Sequence, residues 1–235
     1  MRLLKLLTIT SIALGELVCA QAPDIETITA ASYENQLPAM ETMLLSTDGI
    51  SYENAYLKYR LATVYYGSGD SKRSDELLKN AIEELDKLLA TTPDFAEALT
   101  LKGAAIGMRI SFRPSIRGMT MGPASGRAIS RALELDPANP RVWLIKGIAA
   151  HNTPALFGGG SKKALSALDQ SITLYSDNGM GWGYADAYVW RGLTYLNRGD
   201  KDKARTDFQA ALTIAPNFAW AGTLLEQLDL TVAAY

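Results

Sequence analysis

Hydrophobic residues recur every three or four positions over residues 185–218, which is the spacing of one face of an α-helix. The repeated positions are Val189, Leu193 and Leu196 in the first half and Ala204, Phe208, Ala211 and Leu212 in the second. Gly199 and Asp200 separate the halves; glycine tolerates a left-handed helix end, and aspartate can cap the next helix. Pro216 cannot continue a helix and marks the end of the second half. The pattern predicts two helices joined by a tight turn.

The order of residue types in this segment resembles the tetratricopeptide repeat (TPR), a helix–turn–helix unit of about 34 residues. The matching residues, at positions 8, 11, 20, 24, 27 and 32 of such a unit, are Gly192, Tyr195, Ala204, Phe208, Ala211 and Pro216. Small residues at positions 8 and 20 let the two helices approach, and the aromatic residues fill the space between neighbouring hairpins. The resemblance implies a right-handed superhelical α-solenoid, a scaffold that holds partners.

The same unit recurs upstream with insertions. Gly147 and Ala164 mark one copy, which has five extra residues in the turn between its helices. An earlier copy starts at Gly103 and ends at Pro137 with ten extra residues, and the first copy ends at Pro93. Since a solenoid needs about three or more stacked units to bury a continuous core, these copies together satisfy that requirement.

The patterns divide the chain into three segments. Residues 51–235 are expected to form an all-α, TPR-like solenoid of about four helical hairpins, with a capping helix at 219–228. Residues 21–50 are expected to form a linker and a short helix. Residues 1–20 have a basic start, an apolar stretch and a Val-Cys-Ala ending, which is typical of a secretory signal peptide.

This leader predicts export to the periplasm or the medium, with cleavage after Ala20 and a mature chain that begins at Gln21. A retained membrane anchor is the alternative, although the apolar run is short and Glu16 interrupts it. Acylation of Cys19, as in lipoproteins, is a further alternative. Later segments are not apolar enough to cross a bilayer, so no stable span is expected after processing.

Chemically reactive side chains are few. Cys19 is the only cysteine and His151 the only histidine, so the mature chain would lack disulfides and thiolate metal ligands. A lone histidine without a carboxylate cluster makes a poor metal site or catalytic centre. We therefore expect no enzyme activity, no metal and no cofactor. An exported chain without cysteine is typical of the bacterial periplasm, and the chain resembles exported bacterial TPR-like proteins.

Charge is modest overall but unevenly distributed. The net charge is −2; residues 21–97 contain 6 basic and 14 acidic side chains, whereas residues 98–133 contain 6 basic and none acidic. Nucleic-acid binding, which favours a basic domain, is not expected from this balance.

Three arginines lie in the ten-residue insertion of the second copy. Arg109, Arg113 and Arg117 stand at intervals of four, but Pro114 argues against one unbroken helix. One hypothesis is a flexible cationic loop at the mouth of the groove that clamps a carboxylate, a phosphate or an acidic partner. The other is a structural clip in which the arginines pair with the acidic first repeat. The sequence leaves both open.

The resemblance also implies a concave face, formed by the first helix of each hairpin, where TPR proteins bind their ligands. The partner-binding residues expected there are His151, Asn152, Asn197 and Tyr66, because amides can bond an extended peptide backbone and tyrosine supplies rigid contact area. Trp182, in a glycine-rich insertion, is the expected exception among the late aromatic residues, most of which should pack between helices.

These patterns predict a periplasmic or secreted TPR-like adaptor or scaffold that binds a peptide or protein partner in its concave groove. The alternative is an accessory component of a solute-uptake system that binds a small anionic ligand, similar to the TPR-like components of some periplasmic uptake systems. The expected partner is therefore a protein or peptide, which includes the components of a transport system.

Overall fold

The computed structural model of the protein describes residues 23–178 and 181–233, of which 81% are helical. The first helices are α1 (Ile25–Tyr33), α2 (Leu37–Ser46), α3 (Tyr52–Gly67), α4 (Ser71–Thr91), α5 (Ala96–Ser111) and α6 (Pro114–Leu135). The remaining ones are α7 (Pro140–Asn152), α8 (Ser161–Asn178), α9 (Tyr184–Leu196), α10 (Lys201–Ile214) and α11 (Ala219–Ala233), with a 3-10 turn at Ala155–Phe157. Strands are absent from the described residues, and the predicted all-α class is confirmed. The predicted signal peptide, 1–20, lies outside the described residues.

Consecutive helices pair as hairpins: α3 with α4, α5 with α6, α7 with α8, and α9 with α10. Each hairpin stacks on the next, and α11 packs on α10 at the end of the row, where the sequence predicts a capping helix. The predicted TPR-like α-solenoid is confirmed.

Glycine at the predicted close-contact position is a packing requirement. A Cβ atom added to Gly192 would lie 2.6 Å from Phe208 Cε1 and 3.2 Å from the carbonyl oxygen of Ala204. The same position is as tight in two earlier hairpins: a Cβ at Gly147 would lie 2.6 Å from Leu168 Cγ, and one at Gly103 would lie 2.7 Å from Ile129 Cγ1. The repeat pattern therefore encodes the approach of the two helices in each hairpin.

The insertions take two different forms. The ten-residue insertion with Arg109, Arg113 and Arg117 does not form the flexible cationic loop that one hypothesis expects. Instead it lengthens α5 and α6, which are joined by a turn at residues 112–113. Pro114 is the first residue of α6, a position where its missing N–H is not needed. The insertion between α7 and α8 is a tight turn in which Gly158 and Gly160 have positive φ angles of 89° and 99°.

The N-terminal segment is more ordered than the sequence indicates. The sequence predicts a linker and a short helix in residues 21–50; of these, residues 23–50 contain two helices, α1 and α2. Ile28 on α1 and Met40 on α2 are fully buried against α3. Burial of these apolar side chains explains why the segment folds onto the solenoid.

None of the helices in the described part of the chain is long and apolar enough to traverse a lipid bilayer.

Candidate partner-binding site on the concave face

Part of the concave face is filled by a tryptophan from the segment before α9. Trp182 is only 5% exposed, and its ring lies 4.9 Å from the ring of Tyr56 and 5.1 Å from the guanidinium of Arg141. Its carbonyl oxygen accepts a hydrogen bond of 2.6 Å from the Tyr175 hydroxyl. Trp182 was expected to be the exception to inter-helix packing; instead it is packed, because the first helices of the hairpins converge around it.

Helix α1 covers the neighbouring part of the face through a buried polar network. Arg60 on α3 donates to Asp186 on α9 (3.2 Å) and to the hydroxyl of Ser32 on α1 (2.8 Å). The Tyr33 hydroxyl donates to the second oxygen of Asp186 at 2.5 Å. Burial, as the main cause, and the negative charge of Asp186, as the second, raise the pKa of Tyr33 well above its ordinary value. The Tyr33 hydroxyl therefore keeps its proton and remains a donor. Helix α1 thus covers part of the face on which the sequence analysis expected a partner to bind.

Beyond α1, aromatic rings continue across the face towards the ends of α7 and α9. The aromatic row, as we name it, consists of Tyr33, Phe218, Trp220, Trp190 and His151, with successive ring centroids 4.0, 6.2, 5.5 and 5.4 Å apart. Trp220 is 38% exposed, whereas Phe218 is buried. The row therefore joins the buried end of the face, under α1, to an open end.

His151 terminates the row in a defined protonation state. Its Nδ1 lies 2.8 Å from the hydroxyl of Thr194, and that hydroxyl already donates its proton to the carbonyl of Trp190. The hydroxyl must therefore accept, so Nδ1 carries the proton of the neutral ring. Nε2 is left to accept from the side-chain amide of Asn197 at 3.4 Å. Burial lowers the pKa of His151, which favours this neutral form.

Of the other residues that the sequence analysis placed in the groove, some lie beside His151 and one does not. Asn197 and Asn152 are exposed beside His151, and the amide of Asn152 donates to the carbonyl of Ile148. Tyr66 is 48% exposed, but it lies at the end of α3 and its ring contacts Phe112, 5.4 Å away, instead of the aromatic row. The structure thus brings His151, Asn152 and Asn197 together and leaves Tyr66 apart.

The arginines of the insertion are largely engaged within the protein. Arg109 Nε lies 2.8 Å from Asp75 on α4, and Arg117 bonds both oxygens of the same carboxylate at 2.8 and 2.9 Å. Burial raises the pKa of Asp75, but hydrogen bonds from Arg117 and Arg109 outweigh it and the net pKa lies below its usual value. Arg113 is exposed at the start of α6. Of the two hypotheses for these arginines, this arrangement matches the structural clip.

A pocket of about 410 Å³ lies where α1 faces the turn between α10 and α11. It is lined by Glu26, Thr29, Ala30, Tyr33, Glu34, Gly181, Trp182, Ala185, Ile214, Ala215, Pro216 and Asn217. The sequence gives no sign of this pocket, because the pocket exists only when α1 is docked. Helix α1 has no repeat pattern from which its docked position could be predicted.

Comparisons with known proteins agree with this geometry. The tetratricopeptide repeat model matches residues 185–218. The HusA haemophore from Porphyromonas gingivalis is 24% identical, with 75% of this chain and 96% of that chain covered and a TM-score of 0.57. A thermophilic TPR protein of Thermus thermophilus is 18% identical, with 88% and 100% covered and a TM-score of 0.54. No curated protein matches the sequence.

The fold defines an α-solenoid of stacked helical hairpins. More particularly, the chain is a TPR-like protein. Such folds typically serve as protein-interaction scaffolds without catalytic activity, and they imply protein partners.

Proposed function

We propose that the protein is an exported scaffold that binds a segment of a partner protein on the open end of its concave face. The observation that carries this proposal is the aromatic row, which runs from beneath α1 to the exposed Trp220 and to His151. An exposed tryptophan such as Trp220, beside a well-packed floor, is typical of the residues that dominate binding energy at protein interfaces.

The chemistry of this open end suits a short extended segment. Trp220 offers a flat apolar surface, and the exposed amides of Asn152 and Asn197 can each donate to and accept from a peptide backbone. The neutral ring of His151 adds no charge that would demand an acidic partner. An apolar or aromatic side chain flanked by free backbone groups is therefore the element of the partner that we expect to bind here.

The position of the partner can be tested by photo-crosslinking in cells. A photoreactive residue placed at Asn197 should give a discrete crosslinked product, and the same residue at Gln170, exposed on the second helix α8, is the matched control. The product should disappear in the Trp220→Ala variant. Equal crosslinking from both positions, or a product insensitive to Trp220→Ala, would argue against this surface.

The proposal that the protein is exported depends only on the sequence of residues 1–20 and can be tested separately. The mature protein should begin at Gln21 and fractionate with soluble extracytoplasmic material. Sequencing that finds residue 1 intact, or an acylated Cys19, would overturn this part of the proposal without affecting the binding surface.

A flat porphyrin is a second candidate ligand, since the fold neighbour HusA is a haemophore. The aromatic row could stack against such a ring, and Nε2 of His151 would be available to iron once Asn197 turned away. Titration with haem should then give an absorbance shift that His151→Ala alters. The small-anion alternative has less support, because Arg109 and Arg117 already pair with Asp75.

A further inference from the structure

All turns within the hairpins lie along one edge of the solenoid, because successive first helices run in the same direction. We call this the turn edge; it comprises residues 68–70, 112–113, 153–160 and 197–200 with the first turn of each following helix. Contacts between neighbouring turns agree with this placement, such as the 5.4 Å separation of the Tyr66 and Phe112 rings.

Large apolar side chains protrude from the turn edge. Leu156 and Phe157, in the turn between α7 and α8, are 89% and 76% exposed, and Ile116 in the first turn of α6 is 65% exposed. Met119, which follows just beyond that first turn, is 83% exposed. Leu156 and Phe157 are adjacent, and Ile116 and Met119 lie on one face of α6, so each pair forms a local apolar protrusion of the kind that marks a docking surface.

The hairpin of α5 and α6 also projects beyond the first hairpin. Ser125 donates to the carbonyl of Gly103 and Ser74 to that of Ala62, so the two serines are equivalent positions. Pro114 precedes Ser125 by 11 residues, whereas Ser71 precedes Ser74 by three. Helix α5 is longer by only three residues on its side, since Gly103 precedes Ser111 by eight and Ala62 precedes Gly67 by five. Averaged over the two antiparallel helices, the tip projects by about 8 Å, and Ile116 and Met119 lie near it.

Charge distinguishes the turn edge from the opposite edge. Its exposed cations that form no ion pair with another described residue include Lys72, Arg113, Lys162 and Arg198. Lys163, also exposed, donates to the carbonyl of Gly158. The opposite edge, where one hairpin leads into the next, instead exposes the carboxylates of Asp48 and Asp177, together with Asp94 and Glu134, which share Arg131 as their partner. The turn edge has three acidic residues: Asp70 caps α4, Asp200 pairs with Lys203, and Asp202 is exposed in the first turn of α10.

We propose that the turn edge docks on a membrane surface that contains anionic lipids. Leu156 and Phe157 would enter the boundary between headgroups and acyl chains, while Arg113 and Lys162 contact the lipid phosphates. Protruding apolar side chains ringed by cations are the pattern of interfacial membrane binding, in which buried apolar area and attraction to anionic lipid act together. The acidic opposite edge would then face away from the membrane.

Vesicle sedimentation tests the proposal with the purified protein, using phosphatidylcholine vesicles with and without phosphatidylglycerol. Binding should require phosphatidylglycerol and weaken as salt increases. Leu156→Ser/Phe157→Ser should reduce it at least about tenfold, and Arg113→Gln and Lys162→Gln about fivefold each. All these side chains are exposed, so circular dichroism and melting temperature should not change.

The matched control is Leu45→Ser/Ile50→Ser, because these residues are 89% and 54% exposed but lie away from the turn edge. This control should bind vesicles like the wild type, and so should Trp220→Ala, which separates this proposal from the concave-face site. All variants carry the same N-terminal segment, so its processing does not affect the comparison. No binding to anionic vesicles, equal losses in the control, or charge-dependent capture by an acidic protein without vesicle binding would overturn the proposal.

Discussion

Arg60 on α3 and Asp186 on α9 form a buried ion pair, with Nη1 of the arginine 3.2 Å from Oδ1 of the aspartate. The residues are 126 positions apart and belong to the first and last hairpins. Since Ser32 and Tyr33 of α1 bond to the same pair, one cluster fixes both ends of the solenoid and the helix that covers part of its concave face.

Neutralising the aspartate of this pair should destabilise the fold. Asp186→Asn leaves the guanidinium of Arg60 buried without its counter-charge, and we expect a loss of about 3–5 kcal/mol in the free energy of unfolding by urea. The control is Asp94→Asn, which removes an exposed partner of Arg131 and should cost less than about 1 kcal/mol. Similar losses for the two variants would mean that the buried pair does not hold the ends together.

Glycine at the helix contact gives a second stability test. Gly192→Ala forces a Cβ against the buried ring of Phe208 and the backbone of Ala204, with an expected loss of about 1–3 kcal/mol. Gly126→Ala, on the exposed side of α6 with nothing within 4 Å, should instead gain about 0.5–1 kcal/mol. Thermal melts that show Gly192→Ala to be as stable as the wild type would contradict the packing of this hairpin.

The arginine clip predicts a stability effect where a binding loop would predict an affinity effect. Arg117→Gln and Asp75→Asn should each lower stability by about 1–2 kcal/mol, less than a fully buried pair because the carboxylate is partly solvated. The double variant should lose little more than either single one, since both remove the same contact. Arg113→Gln should have no effect on the melt; strictly additive losses for Arg117 and Asp75 would exclude the clip.

Local repetition explains which features the sequence could predict. The hairpin over 185–218 and the role of Gly192 depend on residues close in sequence, and they were predicted correctly. The docking of α1 depends on Tyr33 meeting Asp186, 153 positions away, with no periodic signal to announce it. The burial of Trp182 has the same cause, because it requires α3, α7 and α9 to converge. For the arginines, composition suggested an acidic partner within the chain but could not identify Asp75.

His151 should give the stability of the protein a component that depends on pH. Because burial holds the pKa of the folded imidazole below the value of about 6.5 in the unfolded chain, the unfolded state takes up the proton first. This component of stability is complete above about pH 6.5 and is lost as the pH falls towards the folded pKa. His151→Gln should remove it in urea unfolding measured across that window. Identical pH profiles for variant and wild type would contradict the assigned environment of the ring.

Thiol reactivity can show whether α1 covers the concave face in solution. In a chain without Cys19, a cysteine introduced by Ala30→Cys should react rapidly with a thiol reagent, because position 30 is exposed. Ala31→Cys, at a position 5% exposed in the core that α1 shares with α3, should react at least about a hundredfold more slowly, as expected for a site that opens only with several kcal/mol of local unfolding. Equal rates at the two positions would show that α1 does not stay docked, and the part of the concave face beneath α1 would then be open to a partner.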